Sequence, residues 1–293
     1  MKNSAVAIGT FDGFHLGHRH LVRELAKIAG RKKLKCAVVA LSRPVKPVPG
    51  ILTTETEKAE LMKQFPVDEI VLLPLSREII AQSAASFFED FLCGKLKMKH
   101  LVVGSDFALG RGRQGDTRWL KKECAKKNTG ITIVEPKRYH GKTISSTLIR
   151  EYIKGGDLEA ANRLLGRFYH FEGGPEKGRG FGRKIGVPTV NLKVAGGKLL
   201  PTGVFTAMIG VGNDLWPAVI NIGIRPTFFS EGETVPEAHI FGFSGRWPKA
   251  KTDVYLCSAL RREKRFSSVT KLKEQIQKDI TRAKRYFGIR SDQ

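Results

Sequence analysis

The chain is poor in cysteine and in long apolar runs. Its 293 residues include four scattered cysteines, at positions 36, 93, 124 and 257, and no Cys-x-x-Cys pair. This spacing argues against a disulfide framework or a cysteine zinc site, and Cys36 and Cys257, which lie in strand-like apolar runs, are expected to be small buried side chains. No apolar run approaches the roughly 20 residues of a membrane span. A strand-like run begins at Ala5 with no charged and apolar leader before it, so we expect a cytoplasmic protein without a membrane partner.

Acidic residues are also scarce relative to basic ones. The chain has 51 Lys and Arg against 28 Asp and Glu, which gives a formal net charge of +23. Three explanations stay open: a nucleic-acid surface, electrostatic attraction of anionic substrates such as nucleotides, or a general enrichment of lysine on exposed faces. The basic residues are dispersed and no nucleic-acid-binding motif accompanies them, so nucleic acid is not the expected partner. We expect small-molecule substrates, and a monomer or a weak homo-oligomer.

The first half of the chain alternates between strand-like and helix-like patterns. Apolar runs typical of buried parallel strands occur at 5–8, 36–41, 70–75, 101–103 and 131–134. Helical periodicity occurs between them, at 16–29, 56–65, 83–95 and 117–126. The alternation predicts an α/β domain, a doubly wound parallel sheet with helices on both faces. Such sheets bind ligands beyond the carboxyl ends of their strands.

After about residue 166 glycine and proline become frequent. Short β-type runs separated by turn residues occur at 168–171, 204–211, 216–222, 238–243 and 252–256. These runs predict a small antiparallel barrel or sandwich, of which we take the barrel, followed by a helix over 269–287 that packs against it. We therefore divide the chain into domains of residues 1–160 and 161–293, with the boundary between Gly155 and Gly166.

The most informative stretch is GTFDGFHLGH, residues 9–18, where the first strand gives way to glycines and two histidines. A strand, a glycine turn and a helix start bind phosphate well, because free backbone N–H groups and the helix dipole both point at an anion. His15 and His18 share a face if the helix has begun by then. Two imidazoles at this position indicate stabilisation of charge that develops on a phosphate. The alternative is a turn with incidental histidines.

Two further segments of the first half carry polar groups after expected strands. Asp106 lies in a glycine-rich loop after the fourth strand and can accept hydrogen bonds from a base, unless the loop is ordinary solvated surface. Further along, Ser145 or Ser146 can cap a helix whose exposed N–H groups make a second anion site. Arg150, about one turn into that helix, adds a positive charge.

The second half holds a glycine-rich basic segment, 178–186, that can close over phosphates. Thr189 and Asn191 follow it. Because they are two apart in an extended segment they face the same side, and a hydroxyl with an amide oxygen suits Mg²⁺ together with nucleotide phosphates. Glu237, at the start of a strand otherwise short of charge, is either a general base or an ordinary strand-end carboxylate. His239 is expected to be a partly buried strand residue.

Taken in order, these segments resemble the bifunctional riboflavin kinase/FMN adenylyltransferase family, the prokaryotic FAD synthetases. The resemblance runs from Ala5 to the final helix. In the first half it rests on GTFDGFHLGH, LTTETEK, VVGSDFALG and ISSTLIR, and in the second on GRGFGRKIGVPTVNL, NIGIRPTF, EAHIFGF and LRREKRF. The HxGH and ISSTxxR patterns are specific only to nucleotidylyltransferases, whereas GRxxGxPTxN followed by NIGxRPTF is close to diagnostic of a riboflavin kinase module.

The resemblance implies two reactions. The second domain would transfer the γ-phosphoryl group of ATP to the 5′-hydroxyl of riboflavin, with Glu237 as general base and Thr189 and Asn191 as ligands of Mg²⁺–ATP. The first domain would let the FMN phosphate attack the α-phosphorus of a second ATP and release pyrophosphate, with His15 and His18 as the catalytic pair. Riboflavin, FMN and FAD are then substrates or products, and ATP is the co-substrate.

The resemblance also assigns binding residues to each domain. Nucleotide contacts are expected from Gly9, Phe11, Gly17, Ser145, Ser146 and Arg150 in the first domain, and from Gly178, Gly182, Lys184, Thr189 and Asn191 in the second. Flavin contacts are expected from Asp106 in the first domain, from Asn221 and Arg225 in an expected loop at 221–228, and from Arg261.

The chain departs from the family pattern around the expected flavin end of the first site. Ala40-Leu41-Ser42-Arg43-Pro44 stands where the family usually has a Thr-Phe-Asp-Pro-His-Pro-like run, and Ala108-Leu109 stands where Arg-Phe is common. Four interpretations therefore stay open. The first is a working bifunctional enzyme, and the second is a chain with one active module, for which the kinase is favoured. The third is a nucleotidylyltransferase for another phosphorylated acceptor, and the fourth is a basic nucleic-acid-binding protein on this scaffold.

Overall fold

The computed structural model describes residues 3–176, 182, 186–225, 233–244, 247 and 250–289. The chain forms two compact units, Met1–Ser146 and Thr147–Gln293. The division at 160/161 drawn from the sequence lies further along the chain than the division between these units. The domain limits 1–160 and 161–293 therefore stay a prediction.

The first unit is built on a parallel sheet of five strands, as the alternating pattern predicts. The strands are β1 (Ser4–Gly9), β2 (Lys35–Leu41), β3 (Glu69–Leu73), β4 (Met98–Gly104) and, after the short strands β5 (Ala108–Leu109) and β6 (Gly115–Asp116), β7 (Gly130–Val134). Their order is β3-β2-β1-β4-β7. The chain winds outward in opposite directions from β1 and β4, so the crevice beyond their carboxyl ends is where such a sheet binds ligands.

Helices cover both faces of this sheet. They are α1 (Leu16–Lys32), α2 (Glu55–Lys63), α3 (Arg77–Ala81), α4 (Ala84–Ser86), which continues as a π-helical segment Phe87–Lys95, and α5 (Thr117–Lys126). Alternate residues of β1 enter different cores: Val6 and Ile8 pack with Phe88, whereas Ala5 and Ala7 pack with Leu25. This alternation is the period of a strand that is buried on both faces, and it confirms the doubly wound architecture.

Two short hairpins were not predicted from the sequence, and the first of them lies in the segment that was expected to be a loop. Strands β5 and β6 pair with each other around a 3₁₀ turn, Arg111–Arg113. After β7, the strands β8 (Arg138–Tyr139) and β9 (Lys142–Thr143) form a second hairpin before the next helix begins. Two-residue strands are too short to show a period of two, which is why the pattern missed them.

In the second unit the described strands form a closed antiparallel barrel, which confirms the predicted barrel. The strands are β10 (Tyr169–Glu176), β11 (Val190–Val194), β12 (Gly203–Val211), β13 (Asp214–Arg225), β14 (Glu233–Ile240) and β15 (Thr252–Arg261). Their order is β10-β11-β14-β13-β12-β15. Two expectations were wrong here. Asn221 and Arg225 belong to β13 and not to a loop, and Glu237 lies inside β14 and not at its start.

The described residues from 146 onward also form three helices: α6 (Ser146–Gly155), α7 (Leu158–Leu165) and the C-terminal helix (Val269–Tyr286). The C-terminal helix packs Ile280 and Ala283 against Val204 and Val219 on the outside of the barrel. Cys36 and Cys257 are buried free thiols, as predicted. Among the helices described, none is both long and apolar enough to cross a membrane.

Candidate active sites

The GTFDGFHLGH loop joins β1 to α1 and is held from within by Asp12. The Oδ1 atom of Asp12 accepts hydrogen bonds from the backbone N–H groups of Leu52 (2.9 Å) and Thr53 (3.0 Å) and from the Thr53 hydroxyl (3.2 Å). The Thr53 oxygen in turn accepts from the backbone N–H of Gly13 at 2.9 Å. These bonds fix the loop to the segment that precedes α2.

The backbone of this loop is strained. Phe11 and Phe14 have φ angles of 50° and 37°, in the left-handed region that L-residues seldom adopt, and both side chains are buried. Such conformations cost of the order of 1–3 kcal/mol each and persist only where the surroundings impose them. At Gly17 an added Cβ would lie 3.1 Å from the His15 ring. A side chain at this position would press against the imidazole of His15, so glycine leaves room for that ring.

The two histidines lie against each other at the start of α1. His15 is the N-cap residue, and its Nδ1 accepts a hydrogen bond from the backbone N–H of His18 at 3.3 Å. The rings stack with centroids 3.6 Å apart and an interplanar angle of 17°. The structure therefore brings the pair together as predicted, with His15 just before the helix instead of within it.

Both imidazoles are set up as neutral hydrogen-bond donors. The pKa of His18 is lowered well below its usual 6.5, chiefly by burial and further by His15 and Lys58. Its Nδ1 is buried with no hydrogen-bond partner among the described residues, so a proton is better placed on Nε2. Because Nδ1 of His15 already accepts a hydrogen bond, its proton also lies on Nε2.

Lys58 was missed by the sequence analysis, which quoted its motif without assigning it a role. Its side chain is 1% exposed, and its Nζ donates to the carbonyl oxygen of Leu41 at 2.6 Å. A signal was available: Lys58 precedes the buried Met62 by four residues, which places both on the inner face of α2.

The other residues predicted for the first site differ in their contacts, their burial and the unit to which they belong. The Ser146 hydroxyl donates to the carbonyl oxygen of Asp12 at 2.8 Å, which is a contact within the first unit, and Ser146 is itself the first residue of α6. Ser145 directly precedes it. Arg150 is buried and belongs to the second unit. Asp106 is exposed in the turn after β4, where its carbonyl oxygen accepts from Arg113 at 2.6 Å.

The second unit gathers polar side chains in one row across three strands. Asn191 of β11 lies opposite Glu237 of β14, and Glu237 lies opposite Asn221 of β13. Residues directly opposite in an antiparallel pair project to the same face. Thr189, just before β11, donates its hydroxyl proton to Oε1 of Glu237 at 2.5 Å. The carboxylate that the sequence analysis left ambiguous therefore has a hydroxyl partner and two flanking amides.

Gly182 packs closely against this cluster. An added Cβ there would lie 2.6 Å from Oγ1 of Thr189 and would also collide with the carbonyl oxygen of Val187. The backbone N–H of Val187 donates to the carbonyl oxygen of Gly182 at 2.8 Å. Gly178, Lys184 and the side chain of Arg225, also predicted for this site, lie outside the described residues.

A cavity of about 340 Å³ opens beside Glu237, between the outer face of the barrel and the C-terminal segment. Thr189, Asn221 and His239 contribute to its barrel side. His239 is a partly buried residue of β14, as predicted. Its apolar lining comes from Val187, Val204, Val219, Phe266, Leu272 and Ile276. A largely apolar cleft with a few polar groups is the usual form of a site for a small organic ligand.

Arg261 enters the same cavity from the end of β15 and is held by a buried ion pair. Its Nε donates to Oδ2 of Asp279 at 2.9 Å, and the two side chains are only 12% and 4% exposed. Gln275 donates to the other carboxylate oxygen of Asp279, also at 2.9 Å, and the guanidinium lies 5.6 Å from the centre of the Phe266 ring. These contacts fix the orientation of a planar cation in the cavity wall.

The two sites together define the class of protein. A doubly wound sheet with paired neutral imidazoles at a helix N-terminus is suited to transfer at a nucleotide phosphate. A carboxylate that is hydrogen-bonded to a hydroxyl, beside an apolar cavity, is suited to deprotonate an alcohol of an organic substrate. The chain therefore has the features of a two-site, nucleotide-dependent transferase.

Comparisons with known proteins give the family. The FAD synthetase model matches residues 1–148, and the riboflavin kinase model matches residues 165–287. The bifunctional riboflavin kinase/FMN adenylyltransferase of Buchnera aphidicola is 35% identical, covering 98% of this chain and 95% of that protein, and the Bacillus subtilis protein of the same name is 31% identical, covering 97% and 93%. The chain belongs to the bifunctional riboflavin kinase/FMN adenylyltransferase family. It phosphorylates riboflavin to FMN and adenylylates FMN to FAD.

A solved structure also matches almost end to end. It comes from Streptococcus pneumoniae and is described as a macrolide-efflux protein; it is 28% identical with a TM-score of 0.87 and covers 96% of this chain and 94% of that one. The likeness supports the two-unit architecture. The efflux description applies to that protein.

Proposed function

We propose that the two reactions divide between the sites, with adenylyl transfer in residues 1–160 at His15 and His18 and phosphoryl transfer in residues 161–293 at Glu237. The observation that carries this proposal is the hydrogen bond from Thr189 to Glu237, which lies between Asn191 and Asn221 on the neighbouring strands. Phosphoryl transfer requires mainly positioning and neutralisation of charge, together with a group that takes the proton of the attacking hydroxyl.

In the kinase site Glu237 accepts the proton of the riboflavin 5′-hydroxyl. Its Oε1 is engaged by the Thr189 hydroxyl, which orients the carboxylate and leaves Oε2 for the substrate. As the proton leaves, the hydroxyl oxygen attacks the γ-phosphorus of ATP and ADP departs. A general base of this kind contributes roughly 10²–10⁴-fold to the rate.

The donor set beside Glu237 fits Mg²⁺. Thr189 and Asn191 offer a hydroxyl and an amide oxygen, the hard oxygen donors that this ion prefers. This matches the usual pattern, in which magnesium takes few protein ligands and is held largely by substrate phosphates. When bound, Mg²⁺ would neutralise charge on the ATP phosphates. Gly178, Gly182 and Lys184 would contribute to nucleotide binding.

The cavity beside Glu237 suits a flavin ring. Its apolar lining can cover the flat face of a heterocycle, while Asn221 and Arg261 offer hydrogen bonds at the edge. Arg225 is proposed as a further contact. The cavity joins directly to Glu237, which would place the ribityl 5′-hydroxyl within reach of the base.

In the adenylyltransferase site, the FMN phosphate attacks the α-phosphorus of ATP and pyrophosphate leaves. Negative charge grows on the oxygens of the α-phosphate, and the Nε2–H groups of His15 and His18 donate to it. Pre-oriented donors of this kind contribute on the order of 10²–10³-fold each. Further nucleotide contacts are proposed from Gly9, Phe11, Gly17, Ser145, Ser146 and Arg150, and a flavin contact from Asp106.

We further propose that the protein acts in the cytoplasm as a monomer or a weak homo-oligomer. Its partners are then the small molecules ATP, riboflavin and FMN, and its high positive charge attracts anionic substrates by long-range electrostatics.

Product analysis tests the proposal. The protein is incubated with riboflavin, ATP and Mg²⁺, and the flavins are separated by chromatography over time. We expect FMN to form first and FAD to follow, and we expect chelation of the metal with EDTA to stop phosphorylation. FMN without FAD would limit the activity to the kinase site, and unchanged riboflavin would overturn both assignments.

A further inference from the structure

Lys58 is a buried lysine that the mechanism above does not use. Its side chain is 1% exposed and is among the largest fully buried side chains of the chain. Moving an ammonium group out of water costs several kcal/mol even after the protein relaxes, so a buried lysine needs compensation. The hydrogen bond from its Nζ goes to a neutral acceptor, the carbonyl oxygen of Leu41, at 2.6 Å. A hydrocarbon side chain would fill the same space at a lower solvation cost.

The position of the ammonium connects it to the adenylyl-transfer site. Lys58 lies in the first turns of α2, whose start is fixed by a capping box between Thr54 and Glu57. Leu41 is the last residue of β2, and the preceding residue, Ala40, pairs with Gly9 at the end of β1. The bond from Lys58 therefore ends at the carboxyl edge of the sheet, next to the strand from which the histidine loop departs.

The charges around Lys58 come from two neighbouring elements. Asp12 in the histidine loop and Glu55 on α2 attract the ammonium, although burial still lowers the pKa of Lys58. On the other side, the ammonium and His15 both disfavour a proton on His18. The lysine is thus electrostatically coupled to two residues of the histidine loop, Asp12 and His18.

We propose that Lys58 is a positioning residue of the adenylyl-transfer site, where its buried ammonium fixes the carboxyl end of β2 and places a positive charge close to the histidine pair. The proposal rests on the function proposed for His15 and His18. Two consequences follow. His18 stays a neutral donor through the physiological pH range, and the site carries positive potential before the transition state forms, which requires no reorganisation during the reaction.

Three variants test the proposal: Lys58→Met, which removes the charge and keeps an unbranched side chain; Lys58→Arg, which keeps the charge; and Lys63→Met, an exposed lysine of the same helix, as the control. For Lys58→Met we expect kcat for FAD formation from FMN to fall by roughly tenfold or more, because a fixed charge near the reacting phosphate is lost. Phosphorylation of riboflavin by the same preparation should be unchanged. The melting temperature should be equal or higher, because a buried charge has been removed. Lys58→Arg should recover part of the rate.

A second measurement does not require turnover. The ring resonances of His18 are followed by NMR as a function of pH in the wild type and in Lys58→Met. We expect the pKa of His18 to rise in the variant, because a neighbouring positive charge is gone. If the wild type failed to adenylylate FMN, the proposed function would be wrong. The titration would still test whether Lys58 affects the protonation of His18, because it does not depend on turnover.

The outcomes are distinct. A slow but stable Lys58→Met protein with a raised His18 pKa supports the proposal. Unchanged FAD formation in Lys58→Met overturns it. So does a loss of FAD formation that is matched by a lower melting temperature and is not relieved in Lys58→Arg, because the lysine would then be needed only for folding.

Discussion

The Thr189 hydroxyl donates a hydrogen bond to Glu237 across 2.5 Å, although the two residues are 48 positions apart in the chain. Strand pairing produces this contact. Asn191 lies opposite Glu237 in β14, so Thr189, two residues earlier, is brought to the same carboxylate. The kinase site thus depends on the register of the barrel strands, and a change at either residue should affect phosphorylation of riboflavin without touching the first unit.

The first prediction concerns Glu237→Gln. The amide cannot accept the proton of the 5′-hydroxyl, so FMN formation should fall by roughly 10²–10⁴-fold. Conversion of supplied FMN to FAD should be unchanged. Both rates are measured on one preparation by chromatography, with Glu172→Gln, a carboxylate on β10, as the matched control. Equal loss of both activities would contradict the division of the reactions.

His18→Ala should have the opposite effect. Removing one pre-oriented donor from the adenylyl-transfer site should lower FAD formation from FMN by on the order of 10²–10³-fold and leave riboflavin phosphorylation intact. His20→Ala, two residues further along the same helix, serves as the control. A mere halving of the rate in His18→Ala would mean that the donor role has been assigned to the wrong residue.

Folding stability should depend on the protonation of His18. The folded pKa lies well below the ordinary value of 6.5, so the unfolded chain binds a proton more readily. The contribution of His18 to the free energy of unfolding is therefore largest above pH 6.5 and is lost as the pH falls below that value. Urea unfolding at about pH 7.5 and about pH 5.5 measures this dependence. His18→Gln should show a smaller drop than the wild type, and an identical drop would refute the inferred burial of the neutral ring.

Gly182→Ala should impair the kinase site through packing. A methyl group there would meet Oγ1 of Thr189 at 2.6 Å and displace the hydroxyl that orients Glu237. Misplacement of about 1 Å in an active site can lower a rate by on the order of 10²-fold, which is the loss expected for FMN formation. Gly196→Ala is the control, because nothing lies within 4 Å of an added Cβ there. Similar rates for the two variants would show that Thr189 adjusts freely.

Two aspartates of the second unit, Asp279 and Asp253, should differ in their effect on stability. Asp279→Ala leaves Arg261 buried without its carboxylate and should destabilise the unit by about 3–5 kcal/mol, measured by urea unfolding. Asp253→Ala removes the partner of His170, but Asp253 is 48% exposed and the change should cost about 0–1 kcal/mol. Asp279→Ala should also raise the KM for riboflavin, since Arg261 would lose its fixed orientation. Comparable stabilities of the two variants would argue against the buried pair.

The sequence predicted most elements of the fold and some of the residues that lie together in the two sites. The strands of the first unit were predicted because burial on both faces of a sheet leaves continuous apolar runs. Its helices were predicted because apolar residues recur with the helical period. The strand–glycine–histidine order placed His15 and His18 together because the contact is local, within one turn of chain. The spacing of Thr189 and Asn191 placed them on one face for the same reason.

Other features depended on contacts between distant segments. The sequence assigned Asn221 and Arg225 to a loop, and only the pairing of β13 with β14 placed Asn221 opposite Glu237. It offered no partner for Arg261, because Asp279 approaches only when the C-terminal helix packs on the barrel.

The local sequence pattern by itself determined the main helices and strands, the order of the two units and the histidine pair. Each of these depends on residues that are close together in the chain. Tertiary structure decided which charges are buried and which polar groups meet. Lys58 looks like any helix lysine until α2 packs against the end of β2, and Glu237 looks like any strand carboxylate until the barrel closes. Burial and pairing are properties of the whole packed chain, since they depend on which surfaces exclude water together.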